Sequence, residues 1–341
     1  MQLDKLFPAA WSKQAGWLSL LKPVSALYGT IIRLRQYLYQ QHILKSYRAP
    51  VPIMVIGNIT VGGSGKTPLI IELVKFLQYF GLNVAVISRG YGGVGPFPCL
   101  VDEDDLPRVV GDEPLLIVQE TGVLMAVGAN RQAAIELILQ HTKPDLILSD
   151  DGLQHLALQR DLEWIVLDVD RGLGNGQLLP TGFLREPIDR LDTATVIEHG
   201  KTASSSLSMQ LTAQQLINLN NKNQKVLSLQ ALDLRAMLKA PIHAVAGIGV
   251  PERFFNSLRD AGFEQIIEHI FVDHHDYQPA DLDFEDHLPI ITTTKDAVKI
   301  RQFSELLEEK NIWIFPVEAQ LSTACYELLL NQLKDLGITV P

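Results

Sequence analysis

A glycine-rich segment between an apolar run and a helical pattern carries the residues best suited to chemistry. Residues 53–57 are apolar and typical of a buried strand, and a helical pattern runs from Thr67 to about residue 80. When a strand, a glycine-rich loop and a helix follow each other in this order, the backbone N–H groups of the loop and the helix N-terminus face an anion. The Lys then contacts the phosphates, and the Thr hydroxyl binds Mg²⁺. The spacing therefore predicts a site for nucleotide phosphates, formed by Gly62, Gly63, Ser64, Gly65, Lys66 and Thr67.

This loop is a variant of the usual pattern. Glycine normally stands five positions before Gly65, where this chain has Thr60, and Gly62 and Gly63 could supply the flexibility instead. A glycine-rich turn that binds no ligand is the alternative interpretation. Nucleotide binding is favoured because the apolar strand leads directly through the loop to Gly-Lys-Thr at a helix start.

Two adjacent acids follow another apolar strand, predicted at residues 145–149. Asp150 stands where a phosphate-loop protein places the carboxylate that holds Mg²⁺, directly or through water, opposite the Thr67 hydroxyl. Adjacent acids can also cap a helix or a turn, and Asp151 alone could do that. We predict a metal role for Asp150, with Asp151 as the second candidate.

Two further residues are candidates for acid–base chemistry. Asp112 opens a predicted helix, where it could orient or deprotonate an acceptor hydroxyl, although an N-cap is the commoner role of such an Asp. His274 and His275 are adjacent, so on an extended segment they point to opposite sides and seldom share one metal ion. No third spaced His or Cys supports zinc. One histidine facing a cleft, as acid, base or orienting group, is the more economical interpretation.

A long loop over residues 174–187 is typical of a binding loop. Arg185 can donate two parallel hydrogen bonds to a phosphate or carboxylate, and Glu186 can accept from sugar hydroxyls. The alternative is a surface Arg–Glu ion pair, which would stabilise the fold little.

The elements around these residues alternate between strand and helix from Pro52 onward. This pattern predicts an α/β fold, similar to P-loop NTPases, with a mostly parallel sheet and helices on both faces. Ligands of such sheets lie beyond the carboxyl ends of the strands. The loops at 62–67, 88–91 and 150–151 all follow predicted strands, so we expect them to converge.

A polar stretch divides the chain into two α/β patterns. We predict a P-loop core over residues 36–200, a linker or inserted hairpin over 201–225, and a second, smaller α/β lobe over 226–341. The last predicted helix, at 322–336, could pack back on the core.

The N-terminal region, residues 1–35, combines apolar and aromatic residues with Lys13, Lys22, Arg33 and Arg35. Lys22 and Pro23 interrupt it, so an uninterrupted apolar span of about 20 residues is absent. The pattern suits an amphipathic helix in a membrane interface. Packing on the domain, with the basic residues solvated, is the alternative.

Composition narrows the function classes. A hydrophobic share of 47% is ample for packed cores, and a net charge of -10 argues against a general nucleic-acid surface. Cys99 and Cys325 belong to no recognisable motif, which favours reduced thiols in a cytosolic compartment. The N-terminal region also lacks the pattern of a signal peptide.

Several motifs, taken in order, resemble the tetraacyldisaccharide 4′-kinases, the lipid A 4′-kinase family. The resemblance rests on Thr-Val-Gly-Gly-Ser-Gly-Lys-Thr-Pro after Gly57-Asn58, Ser88-Arg-Gly-Tyr-Gly-Gly, Val110-Gly-Asp-Glu-Pro, Asp150-Asp-Gly-Leu-Gln-His, the Leu-Leu-Pro-Thr-Gly-Phe-Leu-Arg-Glu-Pro loop and Phe271-Val-Asp-His-His. The missing first glycine of the phosphate loop belongs to that family's pattern. Thr294 departs from it, because the family usually has Glu there.

This resemblance implies ATP-dependent phosphorylation of the 4′-hydroxyl of a tetraacylated glucosamine disaccharide 1-phosphate, giving lipid IVA. It implies ATP and Mg²⁺, a peripheral place on the cytoplasmic face of the bacterial inner membrane, no nucleic acid and no obligate protein partner. By motif, Ser64, Lys66 and Thr67 would serve the nucleotide phosphates and Mg²⁺, and Asp112 and His274 would act as a pair at the acceptor hydroxyl. Asp150 and Asp151 would serve the metal, and the cleft would be lined by Tyr91, Gln154, His155, Arg185 and Glu186.

Two rival interpretations stay open at this point. The first is a regulatory GTPase or ATP-dependent metallochaperone on the same scaffold, although Thr294-Lys295-Asp296 lacks the Asn/Thr-Lys-x-Asp spacing of guanine recognition. The second is a non-enzymatic nucleotide-binding module that docks on membranes.

Overall fold

The structure is a computed structural model that describes residues 7, 10, 11, 13, 15–213, 215–219, 226–228 and 234–340. The strands are β1 Ile53–Gly57, β2 Val84–Ser88, β3 Cys99–Leu100, β4 Leu124–Val127, β5 Leu146–Asp150, β6 Leu162–Asp168, β7 Thr195–His199, β8 Ser208–Thr212, β9 Gln215–Asn218, β10 Val226–Ser228, β11 Pro241–Ala246, β12 Gln265–Ile270, β13 Ile290–Thr292, β14 Ile312–Ile314 and β15 Glu318–Leu321. The α-helices are α1 Lys22–Gln40, α2 Lys66–Tyr79, α3 Pro107–Val110, α4 Asp112–Thr121, α5 Arg131–His141, α6 Leu234–Lys239, α7 Pro251–Asp260, α8 Thr294–Ile300, α9 Ser304–Glu309 and α10 Thr323–Asp335. Short 3₁₀ helices cover Gly16–Leu21, Ile188–Thr193 and Pro279–Leu282.

The first lobe is built on a sheet with the strand order β15-β8-β7-β6-β1-β5-β2-β4-β3. The strands from β8 to β4 run parallel, and the edge strands β15 and β3 are antiparallel to their neighbours. β1 lies at the centre, and all its residues are buried, as expected for an apolar run covered on both faces. The mostly parallel α/β sheet predicted from the sequence is therefore present.

Helices cover both faces of this sheet. α2 and α4 bury their apolar side chains in one core, and α5 packs Ala134, Ile135 and Ile138 against the opposite face. The last helix, α10, contributes Leu329 and Leu333 to the core of α2 and α4. This helix therefore packs back on the first lobe, although it follows the second lobe along the chain.

The second lobe is built on a sheet with the strand order β10-β9-β14-β13-β11-β12. The strands β14, β13, β11 and β12 are parallel, with α7 on one face and α8 and α9 on the other. In the region predicted as a linker or hairpin, β8 joins the first sheet and β9 joins the second. These strands find partners far along the chain, since β8 pairs with β15 and β9 pairs with β14. The chain crosses between lobes at β8–β9 and again at β14–β15.

Helix α1 lies on the outside of the first lobe. Leu27, Ile31 and Leu34 recur at helical spacing and are exposed, whereas Ser25 and Gly29 are buried. Small residues are needed on the buried side, because a Cβ at Gly29 would lie 2.9 Å from Leu178 Cδ1. Within the part of the chain that the structure describes, no helix is both long and apolar enough to cross a bilayer.

Candidate active site

The predicted phosphate loop connects β1 to α2 and opens onto a cleft of about 1630 Å³ between the two lobes. Gly62 and Gly65 have φ values of 100° and 87°, which favour glycine. A Cβ at Gly65 would also lie 3.0 Å from Met209 Cε and 3.3 Å from His199 Cδ2, so these side chains would have to shift slightly. The backbone conformation therefore favours glycine at both positions, and the N-terminus of α2 faces the cleft.

Lys66 is held by two partners at the start of α2. Its Nζ lies 3.4 Å from Asp151 Oδ1 and donates to Asn58 Oδ1 at 3.2 Å. Asn58 is fully buried, and its Oδ1 also accepts from Arg185 Nη1 at 3.3 Å. Its Nδ2 donates to the hydroxyl of Thr60, the residue that replaces the usual glycine. Asn58 was not among the predicted site residues, although its place directly after β1 was a usable signal.

Asp150 is the last residue of β5, opposite Ile56 of β1, and it is buried. Ser88 Oγ donates to its Oδ2 at 3.0 Å, while its Oδ1 has no hydrogen-bond partner among the described residues. Burial first, and then the neighbouring carboxylates of Glu113 and Asp151, together raise the pKa of Asp150 to about 6 against the opposing effect of Lys66. The carboxyl group therefore lies beside the phosphate loop without a sufficient positive partner.

Asp151 has the opposite surroundings. Arg185 donates two hydrogen bonds to its carboxylate, at 3.0 and 2.9 Å, and Lys66 lies on the same side. Burial acts to raise the pKa of Asp151, but Lys66 and Arg185 outweigh it, so the net shift is downward. Its φ of 46° is left-handed, a conformation that is costly for a residue with a Cβ. The end of β5 thus presents two different carboxylates: Asp150 has one oxygen with no hydrogen-bond partner among the described residues, and Asp151 is paired with Arg185 and Lys66.

Asp112 and His274 meet across the two lobes. His274 Nδ1 lies 3.0 Å from both carboxylate oxygens of Asp112, which is buried. Asp112 is the first helical residue of α4, and the N-cap is Gly111, so the alternative N-cap role does not apply. His275 turns away and pairs with Asp281 at 2.9 Å, in keeping with the expectation that adjacent histidines point apart. The two lobes therefore build one carboxylate–imidazole pair.

Lys295, at the start of α8, completes this arrangement. Its Nζ lies 3.2 Å from His274 Nε2 and 3.0 Å from Glu113 Oε1. An ammonium can only donate, so this geometry assigns Nε2 as the acceptor and places the imidazole proton on Nδ1, toward Asp112. Burial acts to raise the pKa of Asp112, but the His274 hydrogen bond and the Lys295 charge bring it down to about 2. Thr294, the departure from the family pattern, lines the cleft beside Lys295.

Four of the five residues predicted to bind substrate line the same cleft, namely Tyr91, Gln154, His155 and Arg185. Tyr91 is exposed, with its ring centroid 5.2 Å from that of His274, and Gln154 Nε2 donates to the Asn58 carbonyl at 3.3 Å. Burial and the positive charges of the surrounding arginines, chiefly Arg131, together lower the pKa of His155 to about 4. Glu186 is buried instead and accepts from Gln36 of α1 at 3.0 Å.

Other residues of the cleft had no signal in the sequence. Arg253 of α7 forms an ion pair with the buried Asp168 at the end of β6, a second contact between the lobes. Lys295 and Lys299 approach Asp112 from α8. No spacing rule links these positions, because each pair comes from two different sheets.

Comparisons with known proteins identify the family of this chain. The family model described as tetraacyldisaccharide-1-P 4'-kinase, LpxK, matches residues 17–334. The tetraacyldisaccharide 4'-kinase of Psychrobacter cryohalolentis is 48% identical, covering 100% of this chain and 99% of the relative, and that of Actinobacillus pleuropneumoniae is 45% identical, covering 93% and 96%. A crystal structure of LpxK from Aquifex aeolicus in complex with ATP superposes with a TM-score of 0.75 at 27% identity, over 94% of this chain and 99% of that one.

The structural likeness confirms the P-loop-like α/β fold that was predicted from the sequence. The family match over most of the chain confirms the resemblance that the motifs carried. The chain belongs to the tetraacyldisaccharide-1-P 4'-kinase family and is a kinase.

Proposed function

We propose that this chain transfers the terminal phosphoryl group of ATP to the 4′-hydroxyl of a tetraacylated glucosamine disaccharide 1-phosphate, yielding lipid IVA for lipid A biosynthesis. The observation that carries the proposal is the Asp112–His274 pair, whose imidazole lines the same cleft as the phosphate loop. The names of the relatives indicate the identity of the acceptor, and the ATP complex of the Aquifex aeolicus protein indicates that ATP is the phosphoryl donor.

The donor side of the cleft is the phosphate loop with Lys66. The loop N–H groups and the Lys66 ammonium would stabilise negative charge on the phosphoryl oxygens as it is redistributed in the transition state. Lys66 therefore acts as a catalytic residue in this proposal, beside its role in binding. Asp151 and Arg185 would set its position through the contacts described above.

The same edge of the sheet fits Mg²⁺. Asp150 offers a buried carboxylate oxygen with no hydrogen-bond partner among the described residues, and Thr67 lines the cleft nearby. Mg²⁺ takes oxygen ligands and usually keeps several waters and substrate phosphates, so a dense protein cage is not required. Thr67 and Asp150 would hold it, with Asp151 beside them, and a bound Mg²⁺ would neutralise phosphate charge.

The acceptor side is the Asp112–His274 pair. As the acceptor oxygen bonds to phosphorus and the bond to the ADP oxygen breaks, the hydroxyl proton would pass to this pair. The Nδ1–H of His274 orients the Asp112 carboxylate, and Lys295 holds the other side of the ring. Tyr91, Gln154, His155 and Arg185 would shape the cleft for the disaccharide and the nucleotide, whereas Glu186 lies behind its lining, against Gln36 of α1.

Turnover of ATP with and without the acceptor tests the function. We expect ADP to form only when the acylated disaccharide 1-phosphate is present, together with phosphorylated lipid. A disaccharide that already carries the 4′-phosphate is the matched control, because it lacks the reacting hydroxyl. Hydrolysis that is independent of the acceptor would favour the regulatory NTPase, and binding without turnover would favour the docking module.

We also propose that the chain works at the cytoplasmic face of the inner membrane as a peripheral protein. The exposed apolar face of α1, formed by Leu27, Ile31 and Leu34, suits insertion into a lipid interface. The opposite side of α1 binds the 174–187 loop, where Ser25 Oγ donates to Leu178 O at 2.9 Å and Tyr28 OH to Arg185 O at 3.1 Å. A lipid-facing helix would thus lie directly beside the loop proposed to bind the acylated substrate.

Replacement of Leu27, Ile31 and Leu34 by Gln tests the membrane proposal without disturbing the buried side of α1. We expect binding to vesicles of anionic phospholipid to weaken by at least about tenfold, because apolar burial in the interface is lost. Tyr79→Gln is the matched control, since Tyr79 is an exposed apolar residue at the end of a different helix, α2. Equal vesicle binding by the triple variant and the control would contradict the proposal.

A further inference from the structure

Helix α8 carries a second lysine, Lys299, which the reaction described above does not use. Its side chain is only 8% exposed, and its Nζ lies 3.2 Å from Asp296 Oδ1 and 3.7 Å from Asp112 Oδ2. The ammonium also lies 5.3 Å from the centroid of the Tyr277 ring. A buried ammonium is costly unless nearby negative groups compensate it, and the carboxylates of Asp296 and Asp112 are the two acidic groups close to Lys299 Nζ.

Asp296 is itself firmly positioned. It is fully buried, and it accepts from the Gly247 N–H at 3.0 Å and from the Thr293 hydroxyl at 2.7 Å. The carbonyl of the same Gly247 accepts from the backbone N–H of His274 at 3.2 Å. One residue at the end of β11 therefore fixes both the partner of Lys299 and the backbone of His274.

The Asp112 carboxylate is restrained from three directions. The Glu113 N–H donates to Oδ1 at 2.9 Å, Lys299 faces Oδ2, and His274 Nδ1 is equidistant from both oxygens. Two of these groups, Lys299 and His274, come from the second lobe, whereas Asp112 belongs to the first. The orientation of this carboxylate therefore depends on contact between the lobes.

We infer that Lys299 is a positioning residue, which fixes the Asp112 carboxylate in its anionic form for the acceptor hydroxyl when the lobes meet. This inference rests on the proposed function, since it assigns Asp112 to the acceptor side of that reaction. The plainer interpretation is an ion pair between Asp296 and Lys299 within α8 that only stabilises the helix. The two interpretations differ in what happens to catalysis, because a purely structural pair would leave the pH dependence of kcat unchanged.

The substitution Lys299→Met in the full chain distinguishes a positioning role of Lys299 from a purely structural ion pair. We expect kcat for the acylated acceptor to fall by about 10- to 100-fold, the range typical of residues that orient a catalytic group, with KM for ATP changed by less than about twofold. We also expect the acid limb of the kcat profile to move to higher pH, because a positive charge facing Asp112 is lost. The charged and titratable groups around Asp112 are His274, Lys295, Lys299, Glu113, Asp273 and Asp296.

Two further variants make the result specific. Lys299→Arg keeps the charge, so its acid limb is expected to stay near that of the parent. Lys310→Met is the matched control, since Lys310 is a largely buried lysine of the second lobe that pairs with Asp283 at 2.7 Å. Its removal is expected to lower stability without moving the acid limb.

The inference is overturned if Lys299→Met has the kcat and acid limb of Lys310→Met while the parent protein phosphorylates the acceptor. Failure of the parent itself to phosphorylate the acceptor would instead refute the proposed function. Should Lys299→Met not fold, Lys299→Gln replaces it, because this variant also removes the charge that faces Asp112 while keeping a long polar side chain. A shift of its acid limb in the same direction supports the inference, and an unmoved limb overturns it.

Discussion

Asp150 and Asp112 are both buried aspartates of the first lobe, yet their surroundings shift their pKa values in opposite directions. Burial and the nearby Glu113 and Asp151 raise the pKa of Asp150 to about 6. For Asp112, His274 and Lys295 overcome the effect of burial and lower the pKa to about 2. Such separation between two carboxyl groups often marks different chemical roles. Asp150 is suited to receive a cation, whereas Asp112 already has its cations.

The two environments also differ in origin. The hydrogen bond to Asp150 comes from Ser88 of the neighbouring strand β2, so the first sheet alone builds this site. The groups that face Asp112 come mostly from the second lobe, namely His274, Lys295 and Lys299. The proposed metal site is therefore a property of one lobe, while the proposed acceptor site exists only when both lobes are in contact.

The largest effect is expected for Asp150→Asn, which tests the first half of this comparison. We expect kcat to fall by about 10²- to 10³-fold, as when a group that stabilises transition-state charge is lost. We also expect the free energy of unfolding in metal-free buffer to rise, because a buried carboxylate without a cation is removed. Steady-state kinetics and urea denaturation measure the two quantities. Asp145→Asn is the control, because Asp145 is exposed and lies directly before the same strand. An unchanged kcat in Asp150→Asn would contradict the metal role.

A smaller and opposite effect on stability is expected for Asp112→Asn. The folded-state pKa of Asp112 lies below its usual value of 3.8, so its charge stabilises the fold above about pH 4. A pKa lowered to about 2 means that the Asp112 charge contributes about 2 kcal/mol to the free energy of unfolding at neutral pH. About half of this contribution is present at pH 3, and the rest is lost as the pH falls through 2. Urea denaturation of the parent and the variant at pH 7 and pH 3 measures this difference. Equal differences at the two pH values would show that the Asp112 charge is not responsible.

The sequence was sufficient to predict those parts of the fold and the site whose residues are close together along the chain. The phosphate loop needs only the order of strand, glycines and helix, and Asp150 needs only an apolar strand before it. The convergence of these loops follows from the parallel sheet, because the carboxyl ends of its strands share one edge. The structure places them around one cleft.

Contacts between distant segments could not be predicted in this way. The pairing of β8 with β15 and the approach of Lys299 to Asp112 depend on how the lobes pack, which no local pattern encodes. From the residues alone, an N-cap was the commoner role for Asp112, and its meeting with His274 was expected only from the family resemblance. Asn58 was overlooked because a buried Asn after a strand resembles an ordinary turn residue.

The central claim is that Asp112 and His274 act as one unit assembled from two lobes. A double-mutant cycle tests it most directly, using kcat for the acylated acceptor in the parent, Asp112→Ala, His274→Ala and the combined variant. Residues that act as a unit give strongly non-additive losses. We therefore predict that each single substitution lowers kcat and that the combined variant costs little more than either one alone. Fully additive losses in the combined variant would contradict the claim.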